Sequence, residues 1–159
     1  VRSPHSDRND TVRAMTDMPL NMNMLNVNML LCDAAQAVSG KLFILGGGLG
    51  VVGPKPQPMA LALHIGVPWD QANVKHQWTI ALHDEDGQPA MIGEKPLSIS
   101  GNFEAGRPAG LRPGSPLGVA LAINLPPFPL EAGRTWIFSL TIDGHAQSDW
   151  RVRFFKRTE

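Results

Sequence analysis

The chain has a single cysteine, Cys32, in 159 residues. One thiol cannot build an intrachain disulfide framework or a cysteine-rich zinc site. Nor is there an excess of charge of either sign, because 14 Lys plus Arg stand against 14 Asp plus Glu. That balance removes the basic footprint of a nucleic-acid-binding domain. No run of about 18 apolar residues occurs, so no membrane span is expected. The apolar stretch over residues 22–32 is interrupted by Asn23, Asn26 and Asn28 and lacks a small-residue cleavage pair, which argues against a secretory signal. Leu31 is too large for the position before a lipidated cysteine, and Cys32 reads as a small buried hydrophobe. Residues 1–17 are polar, charged and unpatterned. They read as a disordered leader, or as sequence upstream of a start at Met15 or Met18. The division expected is a tail over residues 1–21 and one domain over residues 22–157, a size that buries a core without staples.

What the chain does have is glycine and proline, 16 and 14 residues. That excess over average usage, short of low complexity, predicts many turns and short elements. Bulky apolar residues recur at every second position: Leu25, Val27, Met29 and Leu31; Leu61, Leu63, Ile65 and Val67; Trp78, Ile80 and Leu82; Leu117 through Leu125; Trp136 through Ile142; Trp150, Val152 and Phe154. Successive strand residues point to opposite faces, so each set is a strand with one apolar face. Asp86-Gly87 and Asp143-Gly144 are hairpin signals. Pro54, Pro56 and Pro58 make a stiff extended connector. Only residues 33–38 look helical, with Asp33 as N-cap and Gly40 as the stop. The fold class expected is all-β: an antiparallel β-sandwich of about eight strands, immunoglobulin-like or jelly-roll-like, behind the tail.

Chemical motifs are sparse. Gly48-Leu49-Gly50-Val51-Val52-Gly53 has dinucleotide-loop spacing, but Pro54-Lys55-Pro56 forbids the helix whose N-terminus would hold a pyrophosphate. A glycine bend is the better reading, and no cofactor is implied. Asp84-Glu85-Asp86-Gly87 misses the calcium-loop pattern, since Gln88 stands at the third ligand position and Lys95 at the twelfth. A metal could still be met by His64, His83, Asp84 and Asp86, if the strands carrying His64 and His83 are neighbours. Trp78, Trp136 and Trp150 fall in phase with the apolar parity and read as core. Trp69, in Val67-Pro68-Trp69-Asp70 at a strand end, is the first candidate for an exposed contact. Asp70 lies beside it, and Arg107 and Arg112 in the Gly/Pro-rich loop complete the candidate ligand site.

Several stretches resemble an uncharacterised bacterial family of actinobacterial type. They are Leu30-Leu31-Cys32-Asp33-Ala34-Ala35-Gln36, Ile44-Leu45-Gly46-Gly47-Gly48, Val67-Pro68-Trp69-Asp70, Leu82-His83-Asp84-Glu85-Asp86-Gly87-Gln88-Pro89 and Gly106-Arg107-Pro108. The similarity runs from about Leu25 to Phe155. Cys32 departs from it, where a small residue such as alanine is expected. The resemblance implies a small β-rich cytoplasmic protein and supplies no activity. The leading expectation is therefore a non-enzymatic binding or assembly module with a protein partner or a homo-oligomer, without nucleic acid or membrane. A ligand carrier with a pocket at one end of the sandwich, and a metal-dependent enzyme using His64 and His83, are the alternatives. Ala60, Ala62, Ala120 and Ala122 make an outward face too small and apolar to stand in water, which predicts that something covers it.

Overall fold

One-faced strands need partners for their apolar sides, and that need sets the layout. The computed structural model describes residues 25–159, so the tail expected over residues 1–21 lies outside the described residues. The strands are β1 (Asn26–Cys32), β2 (Ala34–Val38), β3 (Lys41–Leu45), β4 (Val51–Val52), β5 (Met59–Val67), β6 (Lys75–Asp84), β7 (Met91–Ile92), β8 (Lys95–Pro96), β9 (Ser98–Glu104), β10 (Leu117–Leu125), β11 (Thr135–Ile142) and β12 (His145–Lys156). A 3-10 turn, Trp69–Gln71, joins β5 to β6. The protein is nearly all β.

A three-stranded sheet has the order β1-β5-β10, and a five-stranded sheet the order β4-β12-β11-β6-β9. Every pairing in them is antiparallel except the short parallel contact of β4 with β12. Two hairpins, β2-β3 and β7-β8, stand apart from both sheets. The alternating residues converge as their parity requires. Leu61, Leu63, Ile65 and Val67 of β5 share one core with Ile80, Leu82, Phe138, Leu140 and Phe154 of the larger sheet. Each of these side chains, withdrawn from water, contributes roughly 1.5–3 kcal/mol.

Two expectations are corrected. Twelve strands are described rather than about eight, because three are only two residues long and the chain makes two extra hairpins. The helix expected over residues 33–38 does not form, since Ala34–Val38 is β2, paired with β3. Six residues are too few to nucleate a helix without tertiary support. The intervening Ser39 and Gly40 both take positive φ, +50° and +74°, as a two-residue hairpin turn demands. Asp33 is not an N-cap; its amide donates to the Leu45 carbonyl at 3.0 Å. Its carboxylate lies over Gly46, where a Cβ would overlap it.

The alanine face is covered over Ala60, Ala62 and Ala122 but not at Ala120, and the cover is the chain's own β2-β3 hairpin. Ala60 and Ala62 are buried with Cys32 and Ala35, and Leu42 and Ala122 pack around them. Small side chains on both surfaces let the hairpin lie close to the sheet. Close approach matters in the larger sheet too, where the Trp78 ring lies across Gly101, its cross-strand partner. A Cβ on Gly101 would stand 2.5 Å from Trp78 Cζ2. Trp78 is buried and cannot swing away, so Gly101→Ala should lower stability by about 1–3 kcal/mol. The check is urea unfolding, with the midpoint falling and the slope unchanged.

Candidate binding site

At one end of the three-stranded sheet the chain leaves β5 through Pro68 into the 3-10 turn. The Gln71 amide donates to the Pro68 carbonyl at 3.0 Å, which closes the turn. The Asn73 amide donates to the Ala105 carbonyl at 2.8 Å, tying this turn to the start of the loop over residues 106–116. That loop makes two turns, with Gly110 and Gly114 at positive φ, before it enters β10. Between turn and loop lies a cavity of about 450 Å³. Pro68, Trp69 and Asp70 form one wall, Gly114 and Pro116 another, and Asn26 and Gly66 the floor at the sheet edge.

The sequence candidates meet here in part. Trp69 and Asp70 line the cavity. Arg107 stands behind it, its guanidinium carbon 4.3 Å from the Trp69 ring centroid. Its Nη2 donates to the Trp69 carbonyl at 2.7 Å. The cation over the ring and the bond to the backbone fix Trp69 in place. Arg112 is exposed on the same loop and does not line the cavity. Asn26, Gly66 and Pro116 were not anticipated; only the end positions of their strands and loop could have signalled them.

The candidate metal ligands do not come together. β5 carries His64 in the three-stranded sheet and β6 carries His83 in the five-stranded one, so the two strands are not neighbours. His64 is exposed on the outer face, opposite Asn28 and Ala120. Both ring nitrogens of His83 are engaged: Nδ1 donates to the Asp84 carbonyl at 2.8 Å, and Nε2 bonds the Ser139 hydroxyl at 2.7 Å. Asp84 is buried and spends both oxygens inside the protein. One accepts from the Asp86 and Gln88 amides at 3.0 and 2.9 Å, the other from Arg134 Nη1 at 2.9 Å. Asp86 stays exposed at the tip. Among the described residues no group of three or more His, Cys, Asp or Glu side chains could hold a metal ion. Cys32 is fully buried, and its thiol donates to the Ala60 carbonyl at 3.3 Å. Burial, and then the Asp33 charge, push its pKa up, away from thiolate reactivity.

A family model, described as a family of unknown function (DUF6941), matches residues 27–154. The chain belongs to this family. No curated protein and no solved structure matches it. The matched span of the DUF6941 chain takes in the Trp69 turn, the loop over residues 106–116 and the β2-β3 hairpin. No helix among its described residues is long and apolar enough to cross a membrane.

Sequence reading missed the pairing of His76 with Asp143. His76 points inward from β6, is 5% exposed and stacks on Phe103 at 5.1 Å. Its Nδ1 lies 2.7 Å from an Asp143 oxygen, and the other oxygen accepts from the Gln77 amide at 2.9 Å. The signal that could have found it is Asp143-Gly144, because a two-residue turn between β11 and β12 places Asp143 at the sheet end beside the start of β6. Burial draws the Asp143 carboxyl upward, but the Gln77 amide, the His76 bond and the His76 and His145 charges outweigh it. They hold the carboxyl below the ordinary value.

Two outcomes follow for the carboxylates. Asp84→Ala strands two amides and Arg134, and because Arg134 is half in water the expected loss is about 2–3 kcal/mol, read by thermal unfolding. Asp143 has a depressed folded pKa, so its contribution is full above the unfolded value of about 3.9 and is lost as pH falls through the folded one. Asp143→Asn should flatten the decline in stability below about pH 4, measured by urea titrations at several pH values.

Proposed function

We propose that this protein is a non-enzymatic binding module that assembles through the outward face of the β2-β3 hairpin. The hairpin turns Ala35 and Leu42 toward the alanine sheet and Val38, Phe43 and Leu45 the other way. These three are 50%, 57% and 69% exposed. That exposure carries the reading. Lys41 is the only charged side chain of the two strands, and no further strand joins the ribbon, whose β2 edge is tied at Ala35 to the Asn124 side chain. A two-stranded ribbon with a bare apolar surface is marginal in water and gains from a partner. The favoured partner is a second copy, because a chain with no net charge meets no electrostatic repulsion from itself.

The scaffold suited to this role is the expected antiparallel sandwich, immunoglobulin-like or jelly-roll-like, formed where the two sheets share their core. It leaves the hairpin on one flank and loops at the ends. A second reading, ligand binding at the sheet end, is favoured by the cavity beside Trp69.

Sedimentation velocity tests the assembly. The wild-type protein should associate with a Kd on the order of micromolar, about −8 kcal/mol. Phe43→Asp combined with Leu45→Asp should abolish association while the unfolding temperature holds, since both side chains are exposed. A wild-type chain that stays monomeric across the whole concentration range would refute it.

A further inference from the structure

We infer that the cavity beside Trp69 is a saccharide site that takes a single neutral pyranose ring or the end of a short oligosaccharide. The inference rests on the ligand-binding reading of this cavity and names its ligand class. At about 450 Å³ the cavity falls within the range of small-molecule sites. Its walls are flat and stiff: an indole, two prolines and two glycines. None of the prolines or glycines has side-chain rotamers to lose when a ligand arrives.

The polar groups are few and unspent. Asp70 and Asn26 line the cavity, and among the described residues neither side chain has a hydrogen-bond partner. Asp70 offers a carboxylate acceptor, and Asn26 offers an amide that both donates and accepts. A ligand that suits them has hydroxyls at its rim and an apolar face for the indole. A pyranose ring is divided in that way, with axial C–H groups on one face and hydroxyls around the edge.

Charge decides against the competing classes. Among the described residues Asp70 is the only charged group in the lining, and Arg107 is stacked on the neighbouring Trp69. Among the described residues no basic side chain lines the cavity for a phosphate or carboxylate. An organic cation would meet Arg107 already holding the electron-rich indole. A neutral hydroxylated ring meets neither obstacle. The Arg107 contacts also hold the indole in orientation before the ligand binds, which reduces the ordering cost of binding.

The test is a titration of the full chain with glucose, galactose, N-acetylglucosamine, cellobiose and maltose, followed by the indole N–H signals in two-dimensional NMR. One sugar should saturate a shift of the Trp69 signal with a Kd on the order of millimolar, and Asp70→Ala should weaken it about tenfold or more; Trp69→Ala, followed on the Gly66 and Gly114 backbone amides, should weaken binding to the same extent. Arg107→Ala should weaken it less. Asp70 is exposed, so its variant keeps the test sound if Trp69→Ala fails to fold. Phenol and choline are run in parallel. A Trp69 shift with phenol but none with any sugar keeps the cavity as a ligand site and overturns the saccharide assignment. Saturation by choline alone also overturns it. Silence with every probe overturns both.

Discussion

The fold is arranged around a central strand that is apolar along one whole face and along the first part of the other, before His64. β5 places Leu61, Leu63, Ile65 and Val67 on one face and Ala60 and Ala62 on the other, and all six are buried. A strand with one dry face needs one layer against it; this one needs two. The five-stranded sheet covers the large side chains. The β2-β3 hairpin covers the small ones. The cover can be thin because alanine lets backbones approach closely, and two strands carrying Ala35 and Leu42 suffice. The same economy leaves the hairpin's far side bare. Exposure of Val38, Phe43 and Leu45 follows from the burial of Ala60 and Ala62, since a pleated ribbon shows one face wherever it hides the other.

β6 shows how the core is closed at its ends. Its inward row reads His76, Trp78, Ile80, Leu82, Asp84, polar at both termini and apolar between, and all five are buried. Each end is answered from another element. Asp143 of the β11-β12 turn meets His76 at 2.7 Å, and Arg134, just before β11, meets Asp84 at 2.9 Å. Buried polar groups cost free energy unless they are satisfied. One partner segment therefore pins both ends of β6, and strand register is fixed by polar contacts as well as by parity.

Parity made most of this legible in the sequence. A period of two survives in single strands, so the inward rows of β5, β6 and β11 could be named from spacing alone. The tight turn at Asp143-Gly144 was legible for the same local reason, with φ of +51° and +78°. What failed depended on distance. Ala34-Ala35-Gln36-Ala37-Val38 has helical composition, and its pairing with β3 and docking on Ala60 and Ala62 make it a strand. Ser39-Gly40 carried the contrary local signal and outranked propensity. His64 and His83 share a parity, but no spacing rule reports that their strands belong to different sheets. Asp84 looked like a ligand because it sits in an acidic turn. Burial and Arg134, which lies 50 residues away in the chain, turn it into a structural anchor.

The candidate site was legible in its chemistry more than in its shape. Trp69 lies past Pro68, beyond the strand whose alternation it would otherwise continue, whereas the other tryptophans sit within strands on the apolar parity. Half-buried, Trp69 packs against the end of the core as well as lining the cavity. Here it is held. Arg107 comes from a loop tethered to the same turn by the Asn73–Ala105 bond and stacks on the indole from outside the cavity. The Gly/Pro composition of that loop then acquires a physical meaning. Gly114 and Pro116 present backbone and a rigid ring where longer side chains would fill the space. The fold leaves a cavity at this end because the residues that turn the chain there have little side chain to close it with.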